Sequence, residues 1–123
     1  MIEVRALPGP QADFFTEPGA FFETEYVLTP QSDRRGLRLQ GKPLDLKRAD
    51  IPPEGTAPGA VQVPGDGQPI VLGPDRPVTG GYPKIATVIS ADLPLLAQAR
   101  PGAHIRFRQV SLDDALRARK AGT

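Results

Sequence analysis

The chain contains no cysteine and one histidine, His104, so its chemistry must rest on carboxylates, amides, hydroxyls, lysines and arginines. That composition excludes disulfides, thiolate zinc centres and a cysteine nucleophile, and no metal site is expected. Three polar segments remain. Residues 31–38 set Ser32 and Asp33, as hydrogen-bond acceptors, beside Arg34 and Arg38, whose planar forks suit a carboxylate or phosphate. Residues 62–69 bracket an Asp66-Gly67 turn with Gln62 and Gln68, two amides able to point into a cleft. Residues 75–84 carry Thr79, Gly80, Gly81, Tyr82 and Lys84. Here the paired glycines let the backbone approach a ligand and can offer N–H groups as an anion nest, while two hydroxyls and an ammonium stand nearby.

Each segment also has a purely structural reading. Ser32 and Asp33 can bond neighbouring backbone N–H groups and leave the arginines in solvent. Gln62 and Gln68 can simply flank a hairpin turn. Gly80-Gly81 can be a turn leading into the next strand, and the segment lacks the G-x-x-x-x-G-K-[ST] spacing of a phosphate loop. His104 alternates with Arg106 and Arg108, as on a solvated strand face. Neither Ser32 nor Ser90 sits in a G-x-S-x-G elbow that would make a triad with His104.

Charge and hydropathy exclude further classes. The 15 basic and 14 acidic residues nearly cancel, and no basic patch is interleaved with aromatics, so a nucleic-acid partner is not expected. No apolar run approaches the roughly 20 residues that span a bilayer, and Met-Ile-Glu-Val-Arg has no signal-peptide core. The expectation is a cytoplasmic protein with no membrane partner.

Fifteen prolines and 13 glycines lie between aliphatic runs, the pattern of short strands joined by tight turns. Residues 2–6 alternate apolar and charged side chains. Residues 11–22 read as a short helix, a turn at Pro18-Gly19 and a second short piece, with Phe14, Phe15, Phe21 and Phe22 as core anchors. Strands are expected at 23–29, 37–40, 44–47, 60–63 and 69–72, with 50–59 a proline-rich loop. Residues 84–89 are apolar on both faces, as in a central strand. Residues 93–98 form a short helix with Asp92 as N-cap and Pro94 in its first turn. In strand 103–110, Ile105 and Phe107 face opposite to His104, Arg106 and Arg108. Ser111 and Asp114 then open a C-terminal helix as a capping box, with Arg117, Arg119 and Lys120 near its end. These readings give one mostly β, barrel-like domain over residues 1–123, with two small helices flanking or plugging the barrel ends.

Beyond these patterns, "TPQSDRRGLRLQGKPL" (29–44), "PGAVQVPGDGQPIVLGPDRPVTGGYPKIATVISADLPLLAQARPG" (58–102) and "LPGPQADFF" (7–15) resemble segments of the 5-oxoprolinase C-subunit family. That family is also called allophanate hydrolase subunit 2 or biotin-dependent carboxyltransferase. The resemblance runs in order from about Glu3 to Phe107. It departs at Arg35, where members carry a bulky apolar residue, and at Pro77-Val78.

The resemblance implies a cyclophilin-like β-barrel and places the chain as the C-terminal half of a longer protein. It implies ATP-dependent hydrolysis of 5-oxoproline to glutamate together with the A and B subunits of 5-oxoprolinase. Two other branches imply a carboxyltransferase domain of a biotin-dependent urea carboxylase, or a regulatory module that binds the kinase-inhibitor-like B subunit. No cofactor is expected in this chain; ATP belongs to the full complex, and biotin only to the carboxyltransferase branch. The partners implied are the missing N-terminal half and the B and A subunits. Under this reading Arg34 or Arg38 holds a carboxylate, Gln62 and Gln68 read an amide, and Gly80, Gly81 and Tyr82 line the floor of a shared cleft. The isolated chain is expected to fold without turnover of its own.

Overall fold

Short aliphatic runs bounded by proline and glycine become strands, and in the computed structural model, which describes residues 1–121, these strands close on one another. They are β1 (Ile2–Pro8), β2 (Glu25–Leu28), β3 (Gly36–Gln40), β4 (Glu54–Gly55), β5 (Ala60–Gln62), β6 (Ile70–Leu72), β7 (Thr79–Gly80), β8 (Lys84–Val88) and β9 (His104–Gln109). Seven form a closed barrel in the order β1-β8-β5-β6-β3-β2-β9, and β4 pairs with β7 in a separate two-stranded ribbon. Barrel neighbours are antiparallel except β1 and β9, which run parallel from Ile2 beside Ile105 to Ala6 beside Gln109. Three helices, α1 (Ala20–Glu23), α2 (Leu93–Ala97) and α3 (Leu112–Ala121), and two 3-10 turns complete the described chain. The expected mostly β barrel with two or three short helices is the fold observed.

Strand alternation decides what enters the core. Val4, Ala6, Tyr26, Leu28, Ile105 and Phe107 are buried, whereas His104, Arg106 and Arg108 on β9 stay exposed. β8 is covered on both faces, with Lys84, Ile85, Ala86 and Val88 all buried. α1 plugs one end of the barrel: Phe21 is fully buried and stacks on Phe107, with ring centroids 4.4 Å apart. α2 contributes Leu96 to the core, while α3 buries none of its residues and flanks the barrel.

Three local expectations change. Residues 44–47 make a single bridge, Phe15 opposite Leu46, because the chain facing them turns away into Pro18-Gly19. The 50–59 stretch is not wholly loop: Glu54-Gly55, free of proline and so able to donate both N–H groups, forms β4. Asp92 occupies the N-cap position of α2 but makes no side-chain cap bond, since its carboxylate is taken by Arg5. The Ser111–Asp114 capping box forms as read, with Ser111 Oγ accepting from Asp114 N at 3.1 Å and Asp114 Oδ2 accepting from Ser111 N at 3.3 Å.

Candidate functional site

A β-bulge between Val61 and Gln62 aligns Gln62 with Lys84, so the two side chains leave the sheet on the same face. The ribbon lies above them, because Glu54 pairs with Gly80 and Gly80 rests on the Gln62 amide. A Cβ on Gly80 would sit 2.3 Å from Gln62 Nε2, so the ribbon packs directly against the end of that side chain. Lys84 Nζ donates to Glu54 Oε1 at 2.6 Å, and its side chain is 6% exposed against 44% for Glu54. Gln11, from the turn after β1, completes the ring. Its Nε2 donates to the same Glu54 oxygen at 3.1 Å, and its Oε1 accepts from Lys84 N at 3.0 Å. The Lys84 hydrogen bond, followed by that from Gln11, holds the Glu54 carboxyl below the usual carboxylate range.

The remaining predicted residues go elsewhere. Asp33 Oδ1 accepts from the backbone N–H groups of Arg35 (2.8 Å) and Gly36 (3.3 Å), the first of which chiefly holds its carboxyl low. Ser32 Oγ accepts from Arg38 N at 2.9 Å, and Arg34 Nε donates to Asp75 Oδ2 at 2.8 Å in an exposed pair. Ser32, Asp33 and Arg34 edge a cleft of about 730 Å³ whose walls include Leu37, Leu72 and Leu93. Arg38, Asp66 and Gln68 line a different cleft of about 210 Å³. There the Gln68 amide spans Gly41, accepting from its N–H at 2.9 Å and donating to its carbonyl at 3.0 Å. Thr79 and Tyr82 are exposed.

The structure thus joins Gln62, Gly80 and Lys84, and links the first and third segments through Arg34 and Asp75. It does not bring the twelve predicted residues to one cleft. Neither Gly80 nor Gly81 has the positive φ that an alternating anion nest uses; among the described residues the positive-φ glycines are Gly59, Gly67 and Gly102. Sequence reasoning missed Gln11 and Glu54. Glu54 had left one signal, being the lone charged residue between Asp50 and Asp66. Among the described residues no group of three or more His, Cys, Asp or Glu side chains could hold a metal ion, and no helix is long and apolar enough to cross a membrane.

Residues 1–109 match the family described as carboxyltransferase domain, subdomain A and B. The chain is 48% identical over 122 residues to the 5-oxoprolinase C subunit of Escherichia coli (strain K12), covering 95% of this chain and 39% of that protein. It is 29% identical over 130 residues to a putative urea carboxylase of Emericella nidulans, covering 95% of this chain and 10% of the relative. In structure it is similar to the urea amidolyase of K. lactis, with a TM-score of 0.91 at 25% identity, covering 98% of this chain and 8% of that one. The chain therefore spans well under half the length of each of these proteins.

Proposed function

The chain belongs to the carboxyltransferase domain family, subdomain A and B, and from that premise we propose that it contributes to ATP-dependent hydrolysis of 5-oxoproline to glutamate. The observation that carries this reading is the 48% identity to a 5-oxoprolinase C subunit over 95% of the chain. The polar ring beneath the β4–β7 ribbon is compatible with it, since an ammonium, two amides and a carboxylate match the donors and acceptors of a small amide. Arg34 or Arg38 supplies a cation for the substrate carboxylate, and Gln62 or Gln68 reads the amide. Because these residues lie in separate places, the remainder of a C-subunit-type protein, together with the B and A subunits, completes the catalytic assembly in the cytoplasm. ATP is bound in that assembly and not by this chain alone.

Glutamate release from 5-oxoproline and ATP tests the proposal. Turnover is expected when the chain is joined to the rest of a C-subunit-type protein and mixed with the A and B subunits, and none from the chain alone. A complete, folded assembly without turnover would overturn it. The likeness to urea amidolyase, at a TM-score of 0.91, favours a second reading as a urea carboxyltransferase region. That reading gains if the completed protein accepts urea with biotin-dependent carboxylase components and ignores 5-oxoproline. Tight binding to the B subunit with no turnover of either substrate would instead favour a regulatory module.

A further inference from the structure

The cleft of about 210 Å³ lies on the outer face of the barrel and holds charges that the fold leaves unspent. Thr29 and Ile70 flank Arg38 across neighbouring strands, since Thr29 N donates to the Arg38 carbonyl and Arg38 is in register with Ile70. Leu28, Leu39 and Val71, which follow or precede them, are buried in the core, so this row faces outward by alternation. The Arg38 guanidinium makes no hydrogen bond or ion pair among the described residues. Asp33 feels its charge, but that carboxylate is held by the backbone N–H groups of Arg35 and Gly36 and pairs with the Arg35 side chain. Asp66, from the turn before β6, lines the same cleft. Its Oδ1 accepts from Gln68 N at 3.0 Å, and its carboxylate pairs with no cation among the described residues. A cation and an anion thus share one cleft with no ion pair between them. Thr29 Oγ1 is buried beside it and has no hydrogen-bond partner among the described residues. Buried polar groups are nearly always paired, so this hydroxyl calls for a partner from outside.

We propose that this cleft binds a free α-amino acid as its zwitterion. The α-carboxylate takes paired N–H bonds from the Arg38 guanidinium, and the α-ammonium donates to Asp66 Oδ2. Rotation of Thr29 to another staggered χ1 lets its hydroxyl donate to the same carboxylate. A carboxylate alone would meet the charge of Asp66, and an amine alone that of Arg38; a zwitterion satisfies both. Pro69 and Ile70 supply an apolar wall for a small side chain. A lactam nitrogen is neutral and offers Asp66 no cation, so this is a site separate from that of the substrate proposed above. Of the two arginines named there, it leaves Arg34 for the substrate carboxylate.

The test follows the Arg38 Nε–H and Thr29 backbone N–H signals by NMR while L-alanine, L-glutamine, propionate and ethylamine are added separately to the chain. At least one amino acid is expected to give saturable shifts, and propionate and ethylamine to bind about tenfold more weakly or worse. Arg38→Gln removes the charge from an exposed side chain, and Asp66→Asn keeps an acceptor for Gln68 N. Read from the remaining Thr29 signal, each is expected to weaken amino-acid binding by about tenfold with the backbone spectrum retained. Thr29→Val, read at Arg38, is expected to weaken it by about threefold. Propionate binding as tightly as the amino acids, unchanged affinity in any of the three variants, or no saturable shift with either amino acid would each overturn the site. All of these would leave the 5-oxoprolinase reading intact. Displacement of the amino acid by 5-oxoproline at equal affinity would also overturn it, and would assign Arg38 to the substrate carboxylate instead.

Discussion

Arg5 donates three hydrogen bonds to the Asp92 carboxylate: its backbone N at 2.8 Å and Nε at 2.9 Å to Oδ2, and one terminal guanidinium nitrogen at 2.7 Å to Oδ1. The pair fastens β1 to the entry of α2, and the Asp92 side chain is 6% exposed. Asp92→Ala strands a partly buried guanidinium and is expected to cost about 3 kcal/mol, measured by urea unfolding. The Asp92 carboxyl is held below its usual range chiefly by the Arg5 side-chain hydrogen bond. A depressed folded value means that its contribution is complete above the unfolded carboxylate range. It drains away as pH falls below about 5 and through the folded value. Asp92→Asn should therefore be less stable than the parent at neutral pH and show a flatter acid limb.

Two glycines with similar apparent crowding should behave differently. A Cβ on Gly9 would lie 2.4 Å from the Lys84 carbonyl oxygen and 2.6 Å from Ala86 N, both backbone atoms that cannot step aside. Gly9→Ala is expected to cost about 2 kcal/mol or more. Gly80→Ala meets the mobile end of Gln62 instead, and its penalty should largely vanish in a Gln62→Ala background, a coupling of about 1 kcal/mol in a double-mutant cycle.

Lys84 sets the titration of Glu54. Replacing it by Met removes the first cause of the depressed Glu54 value, so the Glu54 carboxyl midpoint should rise toward the ordinary carboxylate range. In the parent, the contact's stabilisation is present above the unfolded carboxylate value and is lost as pH falls through the folded one. Carbon-detected NMR titration reads the midpoint directly; an unmoved midpoint would assign the depression to Gln11 instead.

Ser111→Ala should loosen α3 alone. The helix buries none of its residues, so its start depends on the reciprocal Ser111–Asp114 bonds. Loss of the cap is expected to cost about 1 kcal/mol. In hydrogen exchange, amides of α3 should speed up while those of β8 stay protected.

What the sequence made legible was whatever repeats along the chain. The alternation of Ile105 and Phe107 with His104, Arg106 and Arg108 predicted which face of β9 enters the core, and apolar residues on both faces after Lys84 (Ile85 and Ile89, Ala86 and Val88) predicted a strand covered on both sides. Short elements without a period were harder: two residues cannot alternate, so β4 and β7 passed as loop. Long-range polar partners were harder still. Asp92 was legible as a cap position, but its partner Arg5 lies 87 positions away, and nothing local marks that pairing. The ring has the same character, since Gln11 and Glu54 are 43 positions apart and Glu54 and Lys84 are 30. Its members come from separate loops and strand ends, and only closure of the barrel with the ribbon above it makes them neighbours.

The parallel seam between β1 and β9 has a kinetic meaning. The first strand cannot complete its pairing until residues 105–109 are available, because they alone fill the side opposite β8. Closure across so much of the chain is slow, since loop entropy is lost before those distant contacts form. During synthesis β1 emerges well before β9 and must wait for it. Residues 2–6 meanwhile present an open edge on which another chain could pair. The barrel is therefore most prone to aggregate just before β9 docks, and chaperone engagement should be strongest in that interval.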